Sequence, residues 1–298
     1  MYEKHFKLKT KPFAMIPDPA SLYPSSQHSR ALTMMEYAVA SQAPFCVLTG
    51  NIGSGKTTLL RHFLRKLGKE FKVGLISNTH MRFGSIHPWV LSSLEIVPAD
   101  DSDIAQFEAL VDYFIREYAR GRRTLLVVDE AHNLSAENLE ELRLLSNVNS
   151  EGDISVQVLL VGQPELRGKL ESPELEQFAQ RVSVDCHLSP LGLDEVSAYI
   201  RHQLTVAGAR TSPFDREAVA FIFARTGGVP RLINQLCDLA MLYAFAEQSQ
   251  VIDVPLLQRV LSDRQERGAI PLFGRMPTSE VRARAPKPAR ADVDSESG

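Results

Sequence analysis

A chain of 298 residues, 44% apolar and 23% charged, has the make-up of an ordinary soluble globular protein and room for one large or two modest domains. Its formal charge of −3 excludes a protein that coats nucleic acid wholesale, though not one with a local basic patch. Three well-separated cysteines in apolar surroundings, Cys46, Cys186 and Cys237, with no C-x-x-C pair, exclude a disulfide frame or a zinc site.

The first residues carry Glu3, Lys4, His5 and Lys7 rather than an apolar run, so no signal peptide is expected. No stretch approaches the roughly 18 uninterrupted apolar residues that a membrane span needs. A cytoplasmic protein without a transmembrane segment is the expectation. Residues 1–30 hold Phe6, Pro12, Phe13, Pro17, Pro19, Tyr23 and Pro24. The prolines preclude a continuous helix, and the aromatics predict an arm laid on a domain surface. Such an arm either lines a purine pocket or simply packs there. A helix is predicted over 29–40 and an apolar strand over 45–49.

The strand runs into Gly50-Asn51-Ile52-Gly53-Ser54-Gly55-Lys56-Thr57, which fits G-x-x-x-x-G-K-[ST] without a mismatch. Leu59, Leu60, Phe63, Leu64 and Leu67 then follow at helical spacing. A loop between strand and helix wraps a phosphate chain with its N–H groups, and the helix directs its positive end at the same anion. The glycines let the backbone come close and take positive φ. The loop from Gly50 to Thr58 is therefore the expected nucleotide cradle. Lys56 is expected to reach the β- and γ-phosphates, and Thr57 to offer its hydroxyl to Mg²⁺.

A second strand is predicted over 73–77 and a helix over 87–97. A helix over 103–119, capped by Asp101 or Ser102 and ended by Gly121, should turn Ile104, Phe107, Leu110, Val111, Phe114, Ile115 and Tyr118 to one face. Residues 124–130 form an uninterrupted apolar run that ends in Asp129 and Glu130, as expected of a strand buried on both faces of a parallel sheet. A helix over 135–148 with Leu139, Leu142 and Leu145 inward, a strand over 156–161, a short helix over 174–180 and a last strand over 182–186 complete an alternating pattern. That pattern predicts an α/β fold, a five-stranded parallel sheet flanked by helices over 31–190. Ligands bind at the carboxyl ends of such strands, where Gly50, Asp129 and Gln163 fall. Residues 191–265 read as helices only, at 194–204, 215–225, 231–246 and 254–261, and predict a small all-α lid. Residues 266–298 predict a disordered tail, whose basic stretch over 275–290 is either merely solvated or touches lipid or nucleic acid.

The chemistry follows from the carboxylates. Asp129 should hold Mg²⁺ opposite Thr57, and Glu130 should polarise an in-line water; the bland alternative has Glu130 capping the next helix. Asp129-Glu130-Ala131-His132 also spells a helicase box, but the companion helicase motifs are missing, which leaves His132 a local hydrogen-bonding residue. Gln163 either senses the γ-phosphate and places the water or is a turn residue before Pro164. Arg181 stabilises transition-state charge in a neighbouring subunit or makes a local ion pair. Arg231, in Gly227-Gly228-Val229-Pro230-Arg231, reports phosphate loss from the lid or makes a structural salt bridge.

In this order the motifs resemble the AAA+ P-loop ATPases. A closer resemblance, to the ExeA/GspA-like ATPases of type II secretion, pilus and exosortase loci, rests on four segments. They are Met1-Tyr2 through Lys11-Pro12-Phe13 with Pro17-Asp18-Pro19; Leu22-Tyr23 with His28 and Ala31-Leu32; Val161-Gly162-Gln163-Pro164-Glu165-Leu166; and His187-Leu188-Ser189-Pro190-Leu191. The resemblance implies ATP and Mg²⁺ as ligands, ATP hydrolysis, a ring-like homo-oligomer, and an inner-membrane secretion or assembly partner at which the protein is peripheral. Larger members continue into a membrane span and a peptidoglycan-binding domain; the polar tail here is expected to match the short ATPase-only members. Related modules serve DNA transposition and replication initiation, so a DNA-associated ATP switch stands as the alternative.

Overall fold

Apolar runs long enough for one strand each, separated by amphipathic helices, build a three-layer α/β core in a computed structural model that describes residues 1–14, 22–77, 84–150 and 153–266. Five parallel strands form the sheet: β1 (Phe45–Gly50), β2 (Phe71–Ile76), β3 (Arg123–Val128), β6 (Val156–Gly162) and β7 (Val182–Leu188), in the order β2-β3-β6-β1-β7. The central strands β1 and β6 are buried along their whole length, which is why they read as unbroken apolar runs. The sheet's register decides what meets at its carboxyl edge. Thr49 pairs with Gly162 and Val128 with Leu160. Gly50, Asp129 and Gln163 therefore leave neighbouring strands side by side.

Helices α2 (Ser26–Ala40) and α3 (Lys56–Lys66) cover one face, over Leu48, Val127, Leu159 and Val161. The other face carries α4 (His87–Ser93), α5 (Asp103–Ala119), α6 (Ala136–Leu145), α7 (Glu165–Leu170) and α8 (Glu176–Ala179), over Phe45, Leu126, Val128 and Leu160. A separate apolar cluster unites α9 (Leu193–Val206), α10 (Arg216–Thr226), α11 (Pro230–Ala246) and α12 (Val254–Glu266).

Several expectations change. The stretch predicted as an arm contains a one-turn helix, α1 (Tyr2–His5), and the first long helix starts at Ser26, capped by Ser25. Tyr2 and fully buried Phe13 belong to the core of the helical cluster, so this arm is not simply laid on a surface. The helix read over 87–97 stops at Ser93 because Glu95 takes a left-handed φ of 58°. The segment over 174–180 splits into a 3₁₀ turn (Pro173–Leu175) and α8. A two-stranded antiparallel pair, β4 (Asn149–Ser150) with β5 (Asp153–Ile154), lies between the predicted helix over 135–148 and the predicted strand over 156–161. The face of α5 is also rotated. Ile104 and Ile115 are exposed, while Gln106, Leu110, Phe114 and Glu117 are buried. Pro17-Asp18-Pro19 and the predicted tail with its basic stretch lie outside the described residues. Among the described residues, no helix is long and apolar enough to cross a membrane.

Candidate functional site: a phosphate loop at the carboxyl edge of the sheet

The loop after β1 has the backbone its glycines allow. Gly53 and Gly55 take φ of 80° and 99°, values that L side chains resist. At Gly50 a Cβ would lie 2.7 Å from Ser54 Oγ and 2.9 Å from the Leu188 carbonyl. Asn51 and Ile52 are exposed at the loop's tip. Ser54 Oγ is buried with no hydrogen-bond partner among the described residues, and an acceptor oxygen in the loop would satisfy it. Thr57 and Thr58 sit in the first turn of α3, whose amino end closes the loop.

Lys56 is buried and donates from Nζ to the carbonyls of Gly50 (2.6 Å) and Asn51 (3.1 Å). Burial pushes its ammonium below the usual lysine range, against the pull of Glu130, Asp129 and Glu165. Asp129 is raised, chiefly by burial, while the Glu130 N–H donates to its Oδ1 at 2.9 Å and Lys56 and Arg61 pull the other way. The Asp129 N–H donates to the Ile76 carbonyl at 2.9 Å, extending the β2–β3 pairing by one residue. One hydroxyl and one half-buried carboxylate, with phosphate oxygens, make an all-oxygen donor set, which fits Mg²⁺.

Glu130 departs from β3 with a left-handed φ of 54° and opens a 3₁₀ turn (Ala131–Asn133). Its side chain makes no capping bond to that turn, so the helix-capping alternative has no geometric support. Its Oε2 lies 3.4 Å from His132 Nδ1. His132 Nε2 in turn lies 2.8 Å from Gln163 Nε2.

Two arginines arrive differently. Arg231, at the start of α11, donates its N–H to the Gly53 carbonyl at 3.2 Å, so the lid rests directly on the phosphate loop. Arg181, between α8 and β7, donates from Nη1 to Ser146 Oγ at 3.3 Å within its own chain. The structure brings Lys56, Asp129 and Glu130 into one electrostatic cluster and Arg231 to the loop's other side; it does not bring Arg181 there.

Sequence reasoning gave His28 no role behind the loop, although it stands in a segment that carries the family resemblance. His28 donates from Nε2 to the Ser54 carbonyl at 3.1 Å and lies 2.7 Å from Ser25 Oγ at Nδ1. Burial lowers its pKa, against the pull of the Ser54 hydrogen bond and Glu195. A cavity of about 210 Å³ opens beside it, between Pro12, Tyr23, Gly55, Tyr199 and Asn234. Tyr199 donates its hydroxyl to Asn234 Oδ1 at 2.8 Å. Pro12 and Tyr23 come from the N-terminal arm, whereas no spacing announced Tyr199 and Asn234.

The sequence pattern of an AAA domain matches residues 39–170. The chain is 35% identical over 272 residues to general secretion pathway protein A of Aeromonas hydrophila, covering 90% of this chain and 50% of that protein. It is 27% identical over 144 residues to the ATP-dependent target DNA activator B of Escherichia phage D108, covering 47% and 42%. The chain thus spans half or less of the length of these two relatives. Among solved structures, Cdc6p from Pyrobaculum aerophilum superposes with a TM-score of 0.64 at 17% identity over 92% of this chain and 76% of that one. The Aeropyrum pernix ORC2 protein gives 0.61 at 16% over 93% and 75%. At such identities the likeness is one of fold.

Proposed function

From the premise that this chain belongs to the AAA+ ATPases and is similar over nine-tenths of its length to general secretion pathway protein A, we propose that it hydrolyses Mg²⁺-bound ATP to energise or gate a cell-envelope secretion or assembly system. The loop from Gly50 to Thr58, including Asn51, Ile52, Ser54 and Gly55, holds the phosphates by backbone N–H groups, and Lys56 neutralises the β- and γ-phosphates. Thr57 and Asp129 hold the metal, whose bound charge would screen the phosphate oxygens. Glu130 orients and polarises the attacking water. Gln163 places that water and feels the γ-phosphate. Arg231 carries its loss to the lid, and Arg181 serves the site of an adjacent copy in a ring. The aromatic arm and the cavity beside His28 take the base. The protein works in the cytoplasm, peripheral to the inner membrane.

The observation that carries this reading is the charge cluster of Lys56 with Asp129 and Glu130, assembled from the start of α3 and the end of β3. Glu130→Gln should lower ATP turnover at least a hundredfold, the scale of losing a general base, while ATP stays bound. Phosphate release and equilibrium dialysis measure the two; turnover at the parental rate refutes the assignment.

A DNA-associated ATP switch is the second reading, supported by the shorter similarity to the target DNA activator. It requires ATP turnover that rises with duplex DNA and loses that rise as salt increases. Turnover indifferent to DNA leaves the envelope reading.

A further inference from the structure

His132 stands between the two groups that the hydrolytic reading needs to coordinate. Its ring is mostly buried, with 15% of the side chain exposed, against 40% for Glu130. On one side Nδ1 lies 3.4 Å from Glu130 Oε2; on the other Nε2 lies 2.8 Å from the Gln163 amide. The Gln163 backbone N–H also donates to Nδ1 at 3.4 Å, so the ring meets both the backbone and the side-chain amide of Gln163 as well as the carboxylate. One imidazole then bridges the end of β3 to the end of β6.

The turn that carries His132 is fixed independently of its ring. Lys169, from α7, donates from Nζ to the His132 carbonyl at 2.8 Å and also to the Leu134 carbonyl. Gly162, just before Gln163, lets that turn come close; a Cβ there would lie 3.2 Å from the His132 nitrogen. These contacts place the turn, and the ring is left to join the Glu130 carboxylate to Gln163.

We propose that His132 is a positioning residue that ties Glu130 to Gln163, so that the carboxylate facing the water and the amide facing the γ-phosphate are held as one unit. This rests on the ATPase reading above. Its consequence is that neither Glu130 nor Gln163 reaches its working geometry alone, and loss of either link removes the same alignment.

The test is a double-mutant cycle on the full chain with His132→Ala, Gln163→Ala and the pair, reading turnover at saturating ATP, ATP affinity and melting temperature. His132→Ala should lower turnover about tenfold to a hundredfold, the scale of a misplaced reacting group, with ATP affinity within about twofold of the parent. The double variant should be no slower than the slower single, because both singles break one unit. His132→Gln, which keeps a hydrogen-bonding group near Nε2, should recover part of the rate and serves if the alanine variant folds poorly. Losses that multiply in the double variant, or an unchanged rate in both His132 variants, overturn the proposal. Glu130→Gln separates the two failures: if it also keeps its turnover, the ATPase reading falls rather than the coupling.

Discussion

Gly53 is the residue where the phosphate loop and the lid touch. Its carbonyl accepts from the Arg231 N–H, its φ is 80°, and a Cβ would lie 2.6 Å from the Arg231 Cβ and 3.2 Å from Val229 Cγ1. Gly53→Ala therefore combines a left-handed strain of about 1–2 kcal/mol with a push against the first turn of α11. ATP affinity should fall about tenfold, since roughly 1.4 kcal/mol is a factor of ten, read by titration with a fluorescent ATP analogue. Gly168→Ala is the control. It lies inside α7 with nothing within 4 Å of its Cβ position, so this change should be neutral or stabilise by up to about 1 kcal/mol. At this scale much of the site was legible. A phosphate loop is a local pattern, and two carboxylates closing an apolar run are visible without a structure. The bridge from His132 to Gln163 was not, because the residues are 31 apart and meet only through the parallel register of β3 and β6.

Among the elements, α5 is where periodicity and packing part company. Seven apolar residues at helical spacing predict one inward face, yet Ile104 and Ile115 are exposed and Glu117 is buried. The reason lies after the helix. Gly121, at φ 73°, reverses the chain so that Arg120 and Arg122 fold back on Glu117, at 2.9 and 2.6 Å. A buried carboxylate is tolerated because two guanidinium groups complete it, something helical periodicity does not encode. Its hydrogen bond to Arg122, aided by Arg120, holds Glu117 below the usual glutamate range. A group with a depressed folded pKa stabilises fully above its unfolded value, and that part is lost as pH falls through the folded one. Glu117→Gln should cost about 1.5–3 kcal/mol at pH 7, the worth of hydrogen bonds to a charged group. The difference between parent and variant should begin to shrink as pH falls below the ordinary glutamate value of about 4.3, where the unfolded parent takes up the proton first. Urea melts at pH 7 and pH 3.5 compare the two; a gap that stays constant with pH would mean that Glu117 acts through packing alone.

For the whole molecule, the N-terminal segment joins the parts. Phe13 is fully buried in the helical cluster, 6.0 Å from the Phe214 ring centre and edge-on to it, and Lys11 pairs with Asp238 of α11 at 2.8 Å. The same segment supplies Pro12 and Tyr23 to the cavity beside the phosphate loop. Its aromatics predict an arm laid on a surface, since either helical layer offers apolar ground, and only the folded chain buries Phe13 in the α9–α12 cluster. Phe13→Ala should destabilise that cluster by about 3–5 kcal/mol, the usual cost of emptying a buried aromatic site. The chain's single tryptophan, Trp89, lies in α4 on the sheet and reports that layer alone. Heating the variant should thus melt helical circular dichroism ahead of Trp89 fluorescence, and ATP affinity should fall with the first transition because the cavity loses its wall. Were both signals to fall together, at the parental temperature or below it, the segment would be stabilising sheet and helical cluster as a single cooperative unit, and the cavity would owe nothing particular to Phe13.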